Sequence, residues 1–331
     1  MSSVVLGAQL FVLAGVAFLA MGALVSAASV RAFRARLSRW EPRARHRALV
    51  LLAALPVLTA IVLLLSATLP SLAALIVPAL DHCTVHDDGH AHLCFTHLPT
   101  VGIHTALLLG LVFVVSYLLL RAALASSSVV RAARVLGALA RTGEQRHDLG
   151  VTVIDTLYPV CLAGGLFRPR ILMSRGLLDS LTAEERAVVL AHERAHVRRR
   201  DALVASVVSA LAVFHLPAVA RWLVSELEIA AEQACDEEAA ESVGDRVAVA
   251  STILTVERAA QDASTDLLGL VAVSFGQRGV ERRVEPLLAE PAPPRSLRTP
   301  AAWVGVATVG VLVVADELHH LTESLLSFLA H

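Results

Sequence analysis

The sequence contains no lysine, so every fixed side-chain cation among its 331 residues is an arginine. Charge is sparse: Asp, Glu, Lys and Arg together make up 17% of the chain, and aromatic residues only 4%. Against these shortages stand a hydrophobic share of 56% and a mean hydropathy of +0.67. An ordinary soluble domain is only about half apolar even with glycine counted, so the composition excludes that class and reads as a membrane protein. The lysine-free, alanine-rich composition fits a GC-rich bacterial genome. Met1 to Gly7 carries no basic residue. The first apolar segment therefore lacks the charged start of a cleavable signal peptide and reads as a retained anchor. No internal repeat is evident.

The net charge of −1 says less than the placement of the charges. Val4 to Val30 is an unbroken apolar stretch, long enough to cross about 30 Å of hydrocarbon at about 1.5 Å per residue. Arg31, Arg34, Arg36, Arg39, Arg43, Arg45 and Arg47 follow it. Ala48 to Leu80 is a second apolar segment, which Pro56 and Pro70 are expected to kink or shorten. Val101 to Ala125 is the third, with Arg121, Arg131, Arg134 and Arg141 at and beyond its end. Arginine-rich short loops stay in the cytoplasm. The N-terminus and the loop 81–100 are thus expected outside, and the region after Ala125 inside. Four proline residues mark 291–300 as a linker, and Ala301 to Ala315 is a fourth, shorter apolar segment. The expected organisation is a three-helix transmembrane domain (1–125), a cytoplasmic domain (126–290), the linker, and a last membrane segment with a short tail (301–331). The fold class is mainly α, with an α+β cytoplasmic domain in a multi-pass protein of the bacterial inner membrane.

Within the cytoplasmic region, Val151–Leu157 and Ile171–Met173 read as short strands. Thr182-Ala183-Glu184-Glu185 reads as a capping box that opens a helix free of Gly and Pro. That helix carries Ala191-His192-Glu193-Arg194-Ala195-His196. Residues four apart share a helical face, so His192 and His196 can offer nitrogens to one metal ion, and Glu193 can hold and deprotonate a water activated by it. A catalytic zinc needs a third protein ligand. Glu232-Gln233-Ala234-Cys235-Asp236 supplies two carboxylates one turn apart, of which one could bind the metal while the other orients a ligand from behind. Leu203–Leu216 is apolar but too short for a span, and reads as a buried or interfacial helix.

These residues bear a family resemblance. The strings Ser174-Arg175-Gly176-Leu177-Leu178, Glu185, His192-Glu193-Arg194-Ala195-His196 with Arg198-Arg199-Arg200-Asp201, His215-Leu216-Pro217, Glu232-x-x-Cys235-Asp236 and Glu281-Arg282-Arg283-Val284 with Leu287-Leu288 resemble the BlaR/MecR-type antirepressor membrane metallopeptidases. Those are gluzincins, related more distantly to the HtpX/Ste24 group. The resemblance implies that Zn2+ is the cofactor, that Glu232 is the third zinc ligand and Asp236 the carboxylate behind the ligands. It also implies a protein substrate, a BlaI-type DNA-binding repressor, with no nucleic acid bound by the chain itself. Two departures stand out. The aromatic-rich string of the family is reduced to His215-Leu216-Pro217, and no penicillin-binding sensor domain follows the fourth apolar segment, so β-lactam sensing is not expected. His215 and nearby arginines are the candidates for stabilising an oxyanion.

The loop 81–100 crowds His82, Cys83, His86, His90, His92, Cys94 and His97 together with Asp87 and Asp88. Such a set suits a transition metal, while Cys83 and Cys94 in an oxidising compartment suit a disulfide. A metal-responsive receptor or transporter built on this loop is one alternative function. The first three apolar segments, however, are nearly bare of the ionisable groups a transport path needs, His104 excepted. A quality-control protease of HtpX type is the other alternative. The E-x-x-C-D string and the short spacing between the two motif helices count against it.

Overall fold

Among the described residues, the three long apolar runs form the three longest helices of the computed structural model: α1 (Ser3–Leu37), α2 (Pro42–Ile76) and α3 (Thr105–Thr142). The structure describes residues 3–77, 105–266, 277–289 and residue 324. The loop 81–100, with His82, Cys83, His86, His90, His92, Cys94 and His97, therefore lies outside the described residues, as do His104, the linker and the apolar segment 301–315.

Val4–Leu37, Pro42–Leu69 and Thr105–Thr142 are each long and apolar enough to cross a membrane. A helix satisfies its own backbone N–H and C=O groups, which is what lipid demands of a spanning segment. α2 is helical through both Pro56 and Pro70 and ends at Ile76, short of Leu80. Pro56 is fully buried and faces Gly22 of α1, where an added Cβ would stand 2.6 Å from the Pro56 Cα. Glycine there lets the two helix backbones touch. Leu10, Leu13, Ala14 and Phe18 of α1 pack with Ala60, Leu63 and Ala67 of α2 and Leu111 of α3. On the remaining surface α3 exposes Leu109, Val112, Phe113, Leu119 and Leu120, an apolar face suited to lipid. It does not stop at Ala125 but continues to Thr142.

The sheet follows at once. Its strands are β1 (Glu144–Arg146), β2 (Val151–Ile154), β3 (Cys161–Gly164) and β4 (Arg170–Ser174), in the order β1-β2-β4-β3. β2 runs parallel to β4, and β1 and β3 are antiparallel to their neighbours. The two expected strands are present, β2 ending at Ile154 rather than Leu157, and β1 and β3 are additional. A short helix α4 (Arg175–Ser180) leaves β4 under the Ser174 side chain, which accepts from Leu177 N. Gly176 is required here, because a Cβ would lie 2.1 Å from the Leu157 carbonyl oxygen.

Helix α5 (Ala183–Arg199) opens with the expected capping box between Thr182 and Glu185. One side packs on the sheet, where Val189 and Leu190 join Val151, Val153, Ile171 and Met173. The other packs against α7 (Pro217–Val243), α8 (Arg246–Asp266) and α9 (Gln277–Leu288) through Val188, Ala191, Ala239, Ala240, Val249, Ala250 and Leu287. α6 (Asp201–Leu211) and a 3-10 turn (Ala212–Phe214) follow α5, and α6 packs back on α7 to make a helical hairpin with the turn at its tip.

That hairpin lies on the membrane helices. Val208 of α6 and Leu223, Leu227 and Ala230 of α7 form one buried cluster with Leu49 and Ala53 of α2, which accounts for the apolar character of 203–216. Each leucine buried there contributes about 1.5–3 kcal/mol, against roughly 0–1 kcal/mol for an exposed ion pair. The seam is therefore held mainly by packing. Its tip is clasped by α3: the Arg121 guanidinium donates to the carbonyls of Val213 (2.7 Å), His215 (3.0 Å) and Ala212 (3.2 Å). The Ala212 carbonyl also accepts from the His215 N–H at 3.2 Å, and the guanidinium adds a charged donor where the turn runs out of backbone partners.

Candidate active site

The two histidines of α5 and the acidic turn of α7 face each other because small residues separate the helices. Ala195 and Ala234 are fully buried, with Ala191 and Ala231 beside them. Side chains four apart on each helix, His192 with His196 and Glu232 with Asp236, then meet across the gap. Glu232 Oε2 lies 3.4 Å from His192 Nε2, and Glu232 Oε1 lies 3.4 Å from His196 Nε2. The ligand atoms of His192, His196 and Glu232 all fall within 4.8 Å of one another, a group that could hold a metal ion.

Each ring is oriented from behind. His192 Nδ1 is 2.9 Å from Asp236 Oδ1, and His196 Nδ1 is 2.8 Å from Asp201 Oδ2. Both Nδ1 atoms therefore donate, and both Nε2 lone pairs are left facing one another 3.1 Å apart. Two neutral rings have no proton for that gap, so a positive charge belongs in it. Burial resists charge on His192, but Asp236 and Glu232 outweigh it and push its pKa up to about 9. His196 is raised further, its burial overcome by Asp201, Cys235 and Glu232. Despite burial, Glu232 is held well below the usual carboxylate range by both histidines and Arg283. Two imidazoles and a carboxylate, each ring nitrogen fixed by an outer carboxylate, are a donor set that fits zinc.

Glu193 is buried, and its Oε2 has no hydrogen-bond partner. Burial raises its pKa, while His192 and His196 pull the other way and the backbone N–H of Ala163 in β3 donates to its carboxyl group. His196 also clusters with Asp201 and Cys235. That group is a poorer ligand set, because the His196 Nδ1 proton is engaged by Asp201. The Cys235 thiol donates to Asp201 Oδ2 at 3.4 Å and is pushed up to about 12, chiefly by burial.

All four residues expected on the two helices, together with Asp236, are thus brought to one place. His215 is not among them. Its Nε2 donates to the Ala53 carbonyl at 2.9 Å and its Nδ1 accepts from Ser26 at 3.2 Å, so it ties the hairpin to α1 and α2 and is no oxyanion donor. Three further groups carry roles that sequence reasoning did not assign. Asp201 sits under His196 after a left-handed turn at Arg200 (φ 55°). Arg283 bonds both α7 carboxylates. Gln233 accepts from Arg45 of α2 and donates to the Arg282 carbonyl of α9. Asp201 and Arg283 both stood inside motif strings, which was the available signal; the partner of Gln233 lies far away in sequence and left none.

No curated protein and no solved structure matches the chain. A family model described as BlaR1 peptidase M56 matches residues 86–287. That stretch takes in the third long helix, the sheet, both histidines, Glu232 and Arg283. By this match, which spans most of the chain, the protein belongs to the BlaR1 peptidase M56 family of membrane metallopeptidases.

Proposed function

We propose that the chain is a zinc endopeptidase of the bacterial inner membrane that cleaves a BlaI-type transcriptional repressor from a cytoplasm-facing site. The observation that carries this reading is the convergence of His192 Nε2, His196 Nε2 and both Glu232 oxygens beside the unengaged Oε2 of Glu193. His192, His196 and Glu232 hold the ion, with Asp236 and Asp201 fixing the two rings. Bound zinc supplies a Lewis acid that acidifies water and polarises a carbonyl. Glu193 takes the proton of the attacking water on its open oxygen and returns it to the leaving amine. Burial, which raises its pKa, brings it nearer the operating pH of a general base. β3 is an edge of the four-stranded sheet and reaches Glu193 through Ala163. A sheet edge offers backbone groups to an extended polypeptide.

The cytoplasmic orientation is supported by Arg31–Arg47 between α1 and α2 and by Arg131, Arg134 and Arg141 late in α3. A repressor as substrate is supported by that orientation and by membership of a family described by BlaR1. The test uses full-length protein in lipid nanodiscs with a BlaI-type repressor and, separately, an unfolded generic protein. Wild type should cut the repressor at one site, and Glu193→Gln should not cut while still retaining zinc. Residual cleavage by that variant would remove Glu193 as the base. Equal cleavage of the generic protein would replace the signalling role by quality control.

A further inference from the structure

Arg283 touches both carboxylates of the α7 turn with a single guanidinium. Its Nε and Nη2 donate to Asp236 Oδ2 and Oδ1 at 2.9 and 2.7 Å, and its Nη1 stands 3.1 Å from Glu232 Oε2. Asp236 Oδ1 in turn receives His192 Nδ1. One cation therefore reaches two of the three residues of the candidate metal cage, Glu232 directly and His192 through Asp236. All three guanidinium nitrogens are used, a fork that an ammonium cannot imitate.

The height of Arg283 on α9 is fixed independently. Arg282 next to it donates to Glu226 at 2.9 Å, and the Arg282 carbonyl accepts from Gln233, the neighbour of Glu232. Gln233 is held in turn by Arg45 of α2. Val284 and Leu287 anchor the same helix in the apolar cluster of α5, α7 and α8. The guanidinium is thus seated by packing and by backbone, before any ion is considered.

We infer that Arg283 is a positioning residue of the metal centre: by holding Glu232 Oε2, it leaves Oε1 alone to serve as ligand, and by clamping Asp236 it fixes the His192 ring. This rests on the zinc endopeptidase reading. A carboxylate with both oxygens free can take an ion through two; one with an oxygen already bonded to arginine offers one. With Glu232 so restricted, the three-residue cage keeps a position open for the reacting water.

The test is run on full-length protein in detergent, loaded with zinc for kinetics and with cobalt(II) for spectroscopy, since the visible intensity of cobalt(II) reports its coordination number. Arg283→Gln and Arg283→Lys are compared with wild type. Both should lower kcat by about 10–100-fold with KM little changed, as loss of an outer-sphere partner does. Both should weaken the visible cobalt bands as Glu232 swings to two-oxygen binding. Arg283→Lys keeps the buried positive charge beside Asp236 and Glu232, so it decides the matter if Arg283→Gln does not fold. Wild-type kcat and an unchanged cobalt spectrum in Arg283→Lys overturn the inference while leaving the protease reading intact. A wild-type protein that binds no metal and cuts nothing overturns both.

Discussion

His196 Nδ1 and Asp201 Oδ2 meet at 2.8 Å across a left-handed turn at Arg200. The turn ends α5 and begins α6, so one residue with positive φ brings the first side chain of the second helix underneath a histidine of the first. Asp201 is buried and also receives Arg199 at 3.2 Å. Although burial opposes its ionisation, His196 and Arg199 hold it below the usual carboxylate range.

Asp201→Ala should therefore loosen the His196 ring and lower zinc affinity by about 10–100-fold. Asp201→Asn, whose side-chain carbonyl can still accept from Nδ1–H, should lose less. Competition with a chromophoric chelator measures both. An alanine variant that binds as tightly as wild type would show that the ring is held by something else.

Zinc affinity should depend steeply on pH. His192, pushed up to about 9, carries a proton at neutral pH in the metal-free protein. An ion must displace it, together with the proton of His196, which is raised further, so affinity should fall by at least about tenfold per pH unit below about 9. Metal-free stability should move in the opposite sense. The contribution of charged His192 is complete below its ordinary 6.5 and is lost as pH rises through about 9. Chelator competition and thermal melts across pH 6 to about 10 check the two slopes. Affinity that stays flat over this range would mean that no proton leaves on binding.

Gly176→Ala should destabilise the sheet layer by about 2–3 kcal/mol, since the new methyl would meet the Leu157 carbonyl and backbone has to move. The thermal midpoint of the detergent-solubilised protein should drop, with zinc binding retained wherever the fold survives. An unchanged midpoint would mean that the loop 155–160 yields freely.

Arg121→Leu should destabilise by about 2 kcal/mol or more, because three carbonyls at the hairpin tip lose a charged donor. Arg121→Gln, able to serve one of them, should recover part of the loss. If the two variants melt alike, the charge of Arg121 matters more than the carbonyls it reaches.

What could be read from the sequence was what is written locally. The capping box of Thr182 and Glu185, the two histidines one turn apart and the Glu232–Asp236 pair depend only on helical period, and all three reappear in space. The three long apolar helices were legible because an apolar run of that length has few other uses. β3 escaped because Cys161–Gly164 is half-buried throughout and shows no alternation. The close packing of α2 at Pro56 escaped because it depends on Gly22, a residue of another helix. His215 was misread for a related reason: its partners Ser26 and Ala53 lie far back in the chain, and nothing near His215 announces them. Arg283 was visible as a motif letter, but only the approach of α9 to α7 shows which carboxylates it serves.

Leu49 and Ala53 share a core with Val208, Leu223 and Leu227, and the same helix delivers Arg45 to Gln233 beside Glu232. The catalytic half of this molecule thus has part of its interior built from a helix long and apolar enough to cross a bilayer. Cutting the chain after its third long helix would not liberate a water-soluble enzyme. It would bare an apolar seam, open to self-association, and unfasten the turn that carries Glu232. Lipid or detergent is accordingly a structural ingredient of any preparation in which this peptidase is assayed, on the same footing as the metal.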